Sequence, residues 1–148
     1  MSRVIFLDFD GVITTPKSKF KLITEKMQLI KKLCLKTNSS IVITSDWRFV
    51  DVFHTLESLN KNSEFILNDF VSGVTKHLKI YDDQFIKFAH RGDEIELYLE
   101  EHPEITNYVI IDDCNDFLAS QLNNLVITNS NYGINSSDIF IAFRILIK

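Results

Sequence analysis

Two carboxylates one residue apart, Asp8 and Asp10, close the apolar run Val4-Ile5-Phe6-Leu7, and Gly11 follows them. Asp is poor in strands, and charged groups resist burial unless they are paired or bound to a metal. Asp-x-Asp-Gly at the tip of a strand therefore signals a site. Two other apolar runs end in polar groups. Ile41-Val42-Ile43 runs into Thr44 and Ser45, and Tyr108-Val109-Ile110-Ile111 runs into Asp112, Asp113 and Asp116. Grouped carboxylates repel one another unless a cation sits among them. Hard carboxylate oxygens suit Mg²⁺, which recruits one or two of them together with a substrate phosphate. The chemistry that needs this set is phosphoryl transfer. One Asp attacks phosphorus and gives an aspartyl-phosphate. A second, two positions on, protonates the leaving oxygen and then activates water. A hydroxyl holds a phosphoryl oxygen, and Lys or Arg offsets its charge. Arg48 is a candidate phosphate ligand, its alternative being a pair with Asp46 or Asp51.

The elements that must position these groups follow from periodicity. Residues 3–8, 40–44, 108–111 and 125–128 read as buried strands. Ile23, Met27, Ile30, Leu33 and Cys34 recur at steps of three or four, which predicts a helix over 23–36 with Thr24 as its cap. Further helices are expected over 51–59, over 92–101, and from Ser137-Asp138 onward. Residues 60–85 read as a weak strand among irregular pieces. Alternating strands and helices predict an α/β, three-layer, Rossmann-like fold with a mostly parallel sheet and helices on both faces. Ligands bind such sheets at the carboxyl ends of the strands, so the three polar tips converge on one crevice.

The 148 residues, 45% hydrophobic and 24% charged, suit a single domain over 1–148. A net charge of -4 argues against strong non-specific nucleic-acid binding but leaves room for a local basic groove. Cys34 and Cys114 show no metal or disulfide spacing, which fits a reduced, cytoplasmic setting. The first apolar run is too short to span a membrane and lacks the features of a secretory signal. No phosphate-cradling or dinucleotide glycine fingerprint occurs.

The sequence resembles the haloacid dehalogenase-like (HAD) superfamily. Asp8-Phe9-Asp10-Gly11-Val12-Ile13 matches its first motif and Ile41-Val42-Ile43-Thr44-Ser45 its second. Arg91 fills the third, and Ile111-Asp112-Asp113-Cys114-Asn115-Asp116 resembles the acidic fourth. Ser45-Asp46-Trp47-Arg48 and Arg91-Gly92-Asp93-Glu94-Ile95 look like a small capless branch that includes the HAD domains of RNA-repair proteins. The resemblance implies a Mg²⁺-dependent phosphatase. Asp8 is then nucleophile and metal ligand, and Asp10 is the acid/base with its carbonyl on the metal. Thr44 or Ser45 binds the phosphoryl group, Arg91 offsets its charge, and Asp112 completes the metal site with Asp113 or Asp116 in support. Lys87 and Lys76 are the alternatives to Arg91. The spacing of the motifs leaves no room for a full cap domain, so an open site is expected.

The expected partner is a phosphorylated small molecule or nucleic-acid end, with no membrane and a monomeric or weakly dimeric chain. Two other readings stand beside the phosphatase: a receiver-like phosphoacceptor domain and a non-catalytic binding module on the same fold. Trp47 and Cys114 are expected to serve packing.

Overall fold

The computed structural model describes residues 2–47, 57–59, 61–82 and 85–148, with backbone only for 79–82 and 85–88. Its elements in chain order are β1 (Ser2–Leu7), α1 (Thr24–Thr37), β2 (Ser39–Ile43), β3 (Val71–Val74), β4 (Lys79–Asp82), β5 (Phe85–Phe88), α2 (Arg91–Glu101), β6 (Ile105–Asp112), β7 (Leu125–Ile127) and α3 (Ser136–Leu146). Short 3-10 turns precede β3 and β7.

Five strands form one all-parallel sheet in the order β3-β2-β1-β6-β7. The chain builds outward from β1 on one side and then returns to build on the other. The crevice beside β1 at the carboxyl edge is therefore the switch point where such folds bind ligands. The alternating side chains of β1 serve two cores. Ile5, Leu7 and Phe9 pack with Met27, Ile30 and Leu33 of α1 and Ala142 and Leu146 of α3. Val4 and Phe6 face the other way, toward Val42, Ile110 and Ile95 of α2. Both faces are thus covered by helices, as a sheet of continuous apolar strands requires.

Several boundaries differ from expectation for local reasons. Thr24 is the first residue of α1 rather than its cap, and Ile23 precedes it with no side-chain cap bond. Asn38, in the left-handed region at φ 52°, stops that helix by turning its N–H back to the Cys34 carbonyl. Asn135 caps α3, two residues before the expected start, in a reciprocal pair with Asp138. In the weakly patterned stretch, β4 and β5 form a two-stranded antiparallel hairpin apart from the main sheet. Among the described residues this hairpin is all that stands where a cap domain would be inserted. Of the helix expected over 51–59, residues 57–59 are helical, and 51–56 lie outside the described residues, as does Arg48.

Candidate active site

Strand register brings the first groups together. Leu7 lies opposite Ile43 on one side and Ile111 on the other, so Thr44, Asp8 and Asp112 stand abreast at the ends of β2, β1 and β6. Two hydrogen bonds carry the ladder one step further, Thr44 N–H to the Leu7 carbonyl and Asp8 N–H to the Ile111 carbonyl, each 3.0 Å. All three continue the row Val42, Phe6, Ile110 on the face covered by α2. The first residue of that helix is Arg91. Its guanidinium donates to Asp112 Oδ2 at 2.5 Å, lies 3.3 Å from Asp8 Oδ2, and reaches Asp46 Oδ1 at 3.2 Å.

Asp8 and Asp112 are buried, at 4% and 0% exposure. Burial, then the Asp112 charge, pushes the Asp8 carboxyl up to about 8 even though Arg91 pulls the other way. Burial also raises Asp112 against the pull of Arg91. Burial alone would favour a neutral guanidinium, but the two carboxylates outweigh it and hold Arg91 protonated. Desolvation of two like charges around one cation is the arrangement that shifts pKa values at functional sites.

Asp10 is set differently. Its Oδ1 accepts from Thr14 Oγ1 at 2.8 Å and from the Trp47 indole N–H at 3.0 Å. Both donors use the same oxygen, which fixes the orientation of the carboxylate. Trp47 packs edge-on against Phe9, so the expected packing role holds and a second role, orienting Asp10, is added. Nothing in the sequence distinguished that role, because it depends on two loops meeting.

The acidic loop after β6 divides its work. Asp112 Oδ1 accepts from the Cys114 N–H at 2.9 Å. Asp113 lies over Gly11, whose φ of 80° is in the left-handed region; a Cβ there would collide with the Asp113 carboxylate. Asp116 serves α2 instead. It accepts from the Arg91 N–H at 3.2 Å and pairs with His90 Nδ1 at 2.5 Å, while its carbonyl takes the Gly92 N–H. Gln121 adds a bond to the Gly92 carbonyl. The loop thereby fixes the start of the helix that carries Arg91. Cys114 is exposed rather than packed. Partial desolvation of its thiol and the neighbouring carboxylates push it up to about 11, so it is a poor nucleophile.

The two hydroxyls also separate. Thr44 Oγ1 is buried and, among the described residues, has no hydrogen-bond partner. Ser45 Oγ accepts from the Trp47 N–H at 3.2 Å. An orphaned buried hydroxyl is costly, and this sets Thr44 apart from Ser45. Lys76 is tied to Glu101 at the surface, and the side chain of Lys87 is outside the description.

The donors fit a hard divalent cation. Asp112, Asp113 and Cys114 offer ligand atoms within 4.8 Å of one another, and Asp8 shares Arg91 with Asp112. A thiol is a soft donor ill suited to such an ion, which favours the carboxylates.

A parallel sheet whose central strand tips carry these carboxylates, answered by a cation at a helix start, defines a HAD-like domain. The family described as "HAD domain in Swiss Army Knife RNA repair proteins" matches residues 4–139, and the chain belongs to it. Membership supports a phosphohydrolase-type function, and domains of this family typically use Mg²⁺. Comparison with curated proteins gave no match, and comparison with solved structures gave none. Among the described residues, no helix is long and apolar enough to cross a membrane.

Proposed function

We propose that the chain is a Mg²⁺-dependent phosphohydrolase that works through an aspartyl-phosphate on Asp8, with the end phosphate of a nucleotide or nucleic acid as its substrate. The observation that carries this reading is the single guanidinium of Arg91 shared by the buried carboxylates of Asp8 and Asp112. Two such carboxylates side by side are costly unless cations are part of the working state.

Asp8, Asp112, Asp113 and the Asp10 carbonyl would hold the metal, which when bound neutralises carboxylate and phosphate charge. Asp8 then attacks phosphorus, and the bond to the leaving oxygen breaks. The Asp10 carboxyl delivers the proton to that oxygen, and the same group, now ionised, takes a proton from the water that cleaves the acyl phosphate. Trp47 and Thr14 keep Asp10 turned toward this task through Oδ1. Arg91, planar and bidentate, suits a phosphoryl group, and Thr44 Oγ1 has an unused donor for another phosphoryl oxygen. Arg48 is a further candidate for the phosphate.

The test is a phosphatase screen with Mg²⁺ that covers an aryl phosphate, nucleotides, sugar phosphates and oligonucleotides phosphorylated at either end. Turnover that depends on Mg²⁺ and is strongest on nucleotide or oligonucleotide ends is expected. Turnover that persists in chelator overturns the metal assignment, and a preference for sugar phosphates overturns the substrate class.

A further inference from the structure

Residues 12–22, the connection from the first motif to α1, do more than link two elements. Pro16-Lys17-Ser18-Lys19-Phe20-Lys21 places three lysines at alternate positions, and no carboxylate occurs between Asp10 and Glu25. In a chain of net charge -4 this is a local reversal of sign. All three lysines are exposed, and among the described residues none is paired with a carboxylate. Phe20 stands between them at 51% exposure.

The loop is built rather than loose. Thr15 N–H donates to Ser18 Oγ and Ser18 N–H to Thr15 Oγ1, and Ser18 Oγ also donates to the Lys21 carbonyl at 2.8 Å. Phe20 N–H closes onto the Thr15 carbonyl at 3.0 Å. The backbone of both Lys19 and Phe20 is left-handed, at φ 53° and 56°, a conformation that side-chain-bearing residues rarely adopt. Ser18 and Thr15 spend their polar groups inside the loop, and the lysines and Phe20 are turned outward.

A second aromatic lies on the adjoining loop. Tyr132, 74% exposed, follows the carboxyl end of β7, and that loop is joined to this one by the Ile134 N–H on the Val12 carbonyl at 2.9 Å. Thr128 Oγ1 on the Gly11 carbonyl at 2.7 Å makes a second tie. Both loops leave the carboxyl edge of the sheet, where Asp8 and Asp10 stand. Unpaired lysines that track a backbone, interleaved with exposed aromatic faces on which bases stack, are the features that bind single strands without reading sequence.

We propose that Lys17, Lys19, Phe20 and Lys21, with Tyr132 on the adjoining loop, form a docking platform for single-stranded nucleic acid that leads into the carboxylate cluster. The inference rests on the phosphohydrolase reading for its direction, since it supplies the strand behind the reacting end. The binding itself stands apart from catalysis.

The test uses the full chain and a fluorescent oligonucleotide without a terminal phosphate, so nothing is hydrolysed. Oligouridylate and oligodeoxyuridylate are titrated by anisotropy across a salt series, and aryl phosphate hydrolysis is measured in parallel. Saturable binding is expected, and the tighter of the two strands names the sugar. The triple change Lys17→Gln, Lys19→Gln, Lys21→Gln should weaken binding about tenfold or more at low salt and flatten the salt slope by about 2. Phe20→Ala and Tyr132→Ala should each weaken it about tenfold with the slope unchanged. All three variants should hydrolyse the aryl phosphate as the parent does. No binding by the parent, or equal binding by the triple variant, overturns the platform while leaving the phosphatase reading intact if aryl phosphate turnover persists. Loss of aryl phosphate turnover in the parent would instead strike the phosphatase reading alone.

Discussion

Arg91 donates to Asp112 at 2.5 Å while its same nitrogen lies 3.3 Å from Asp8, so one guanidinium serves the carboxylates of two adjacent strands. The guanidinium is itself largely enclosed, at 14% side-chain exposure. Removing it strands two buried carboxylates. Breaking such a set by deleting one partner costs about 3 kcal/mol. Arg91→Gln should therefore lower the Tm of the metal-free chain at pH 8 by roughly 6–12 °C, and Mg²⁺ should restore most of the loss. Thermal unfolding in chelator and in Mg²⁺ checks this. An unchanged Tm in chelator would mean that the pair is not a stabilising unit.

The pH dependence follows from Asp8. Its folded-state pKa, raised to about 8 chiefly by burial, lies above the unfolded value of about 3.9. The folded chain holds this proton more tightly than the unfolded one. The resulting contribution to stability is complete below about pH 4 and is lost as pH rises through about 8. In chelator, the Tm of the parent relative to Asp8→Asn should fall across that window, and the variant should be the more stable form above it. Binding of Mg²⁺ should release protons near neutral pH, which titration calorimetry in buffers of different ionisation enthalpy reads directly. A parent that gains stability over Asp8→Asn as pH rises would contradict the assignment.

Much of this site was legible before the fold was known, because the chemistry lies at strand tips. An apolar run that ends in acid needs no tertiary information to be noticed, and Asp8, Thr44 and Asp112 come together through strand register alone. The contributions of Trp47, Asp46 and Asp116 were not legible. Each depends on a loop crossing to a partner far away in sequence: Trp47 to Asp10, Asp46 to Arg91, and Asp116 to the start of α2. The β4–β5 hairpin was missed for a different reason. Leu78-Lys79-Ile80 and Phe85-Ile86-Lys87 are too short for periodicity to separate strand from irregular chain. Cys114, expected to serve packing, is exposed because the acidic loop after β6 carries it out to solvent.

Trp47 is the only tryptophan of the chain, and its indole N–H is bonded to Asp10. Trp47→Phe keeps most of the contact with Phe9 and deletes the bond. A hydrogen bond contributes about 0.5–1.5 kcal/mol, so kcat on an aryl phosphate should drop roughly 3- to 10-fold, with KM little changed. In the parent, the fluorescence of Trp47 should respond to Mg²⁺, and Asp10→Asn should alter that response. Steady-state kinetics and a metal titration check both, and a Trp47→Phe chain with full kcat would remove the positioning role.

Gly11 has a φ of 80° and lies under the Asp113 carboxylate. Gly11→Ala forces a strained backbone and displaces Asp113 at once. The left-handed conformation alone costs about 1–2 kcal/mol, and the Tm should fall by several degrees. Affinity for Mg²⁺, measured by calorimetry, should weaken at least ~10-fold if Asp113 supports the metal. Unchanged affinity in a folded variant would remove Asp113 from the ligand set.

The central claim is that Asp8 carries the phosphoryl group. Acid quenching of a reaction with ³²P-labelled substrate in Mg²⁺ should bring down label with the protein, and hydroxylamine should release it, as an acyl phosphate requires. The label should be absent from Asp8→Asn and should accumulate in Asp10→Asn, where the water-activating carboxylate is missing. Protein-bound label that survives Asp8→Asn, or turnover with no labelled protein in either the parent or Asp10→Asn, would contradict the account.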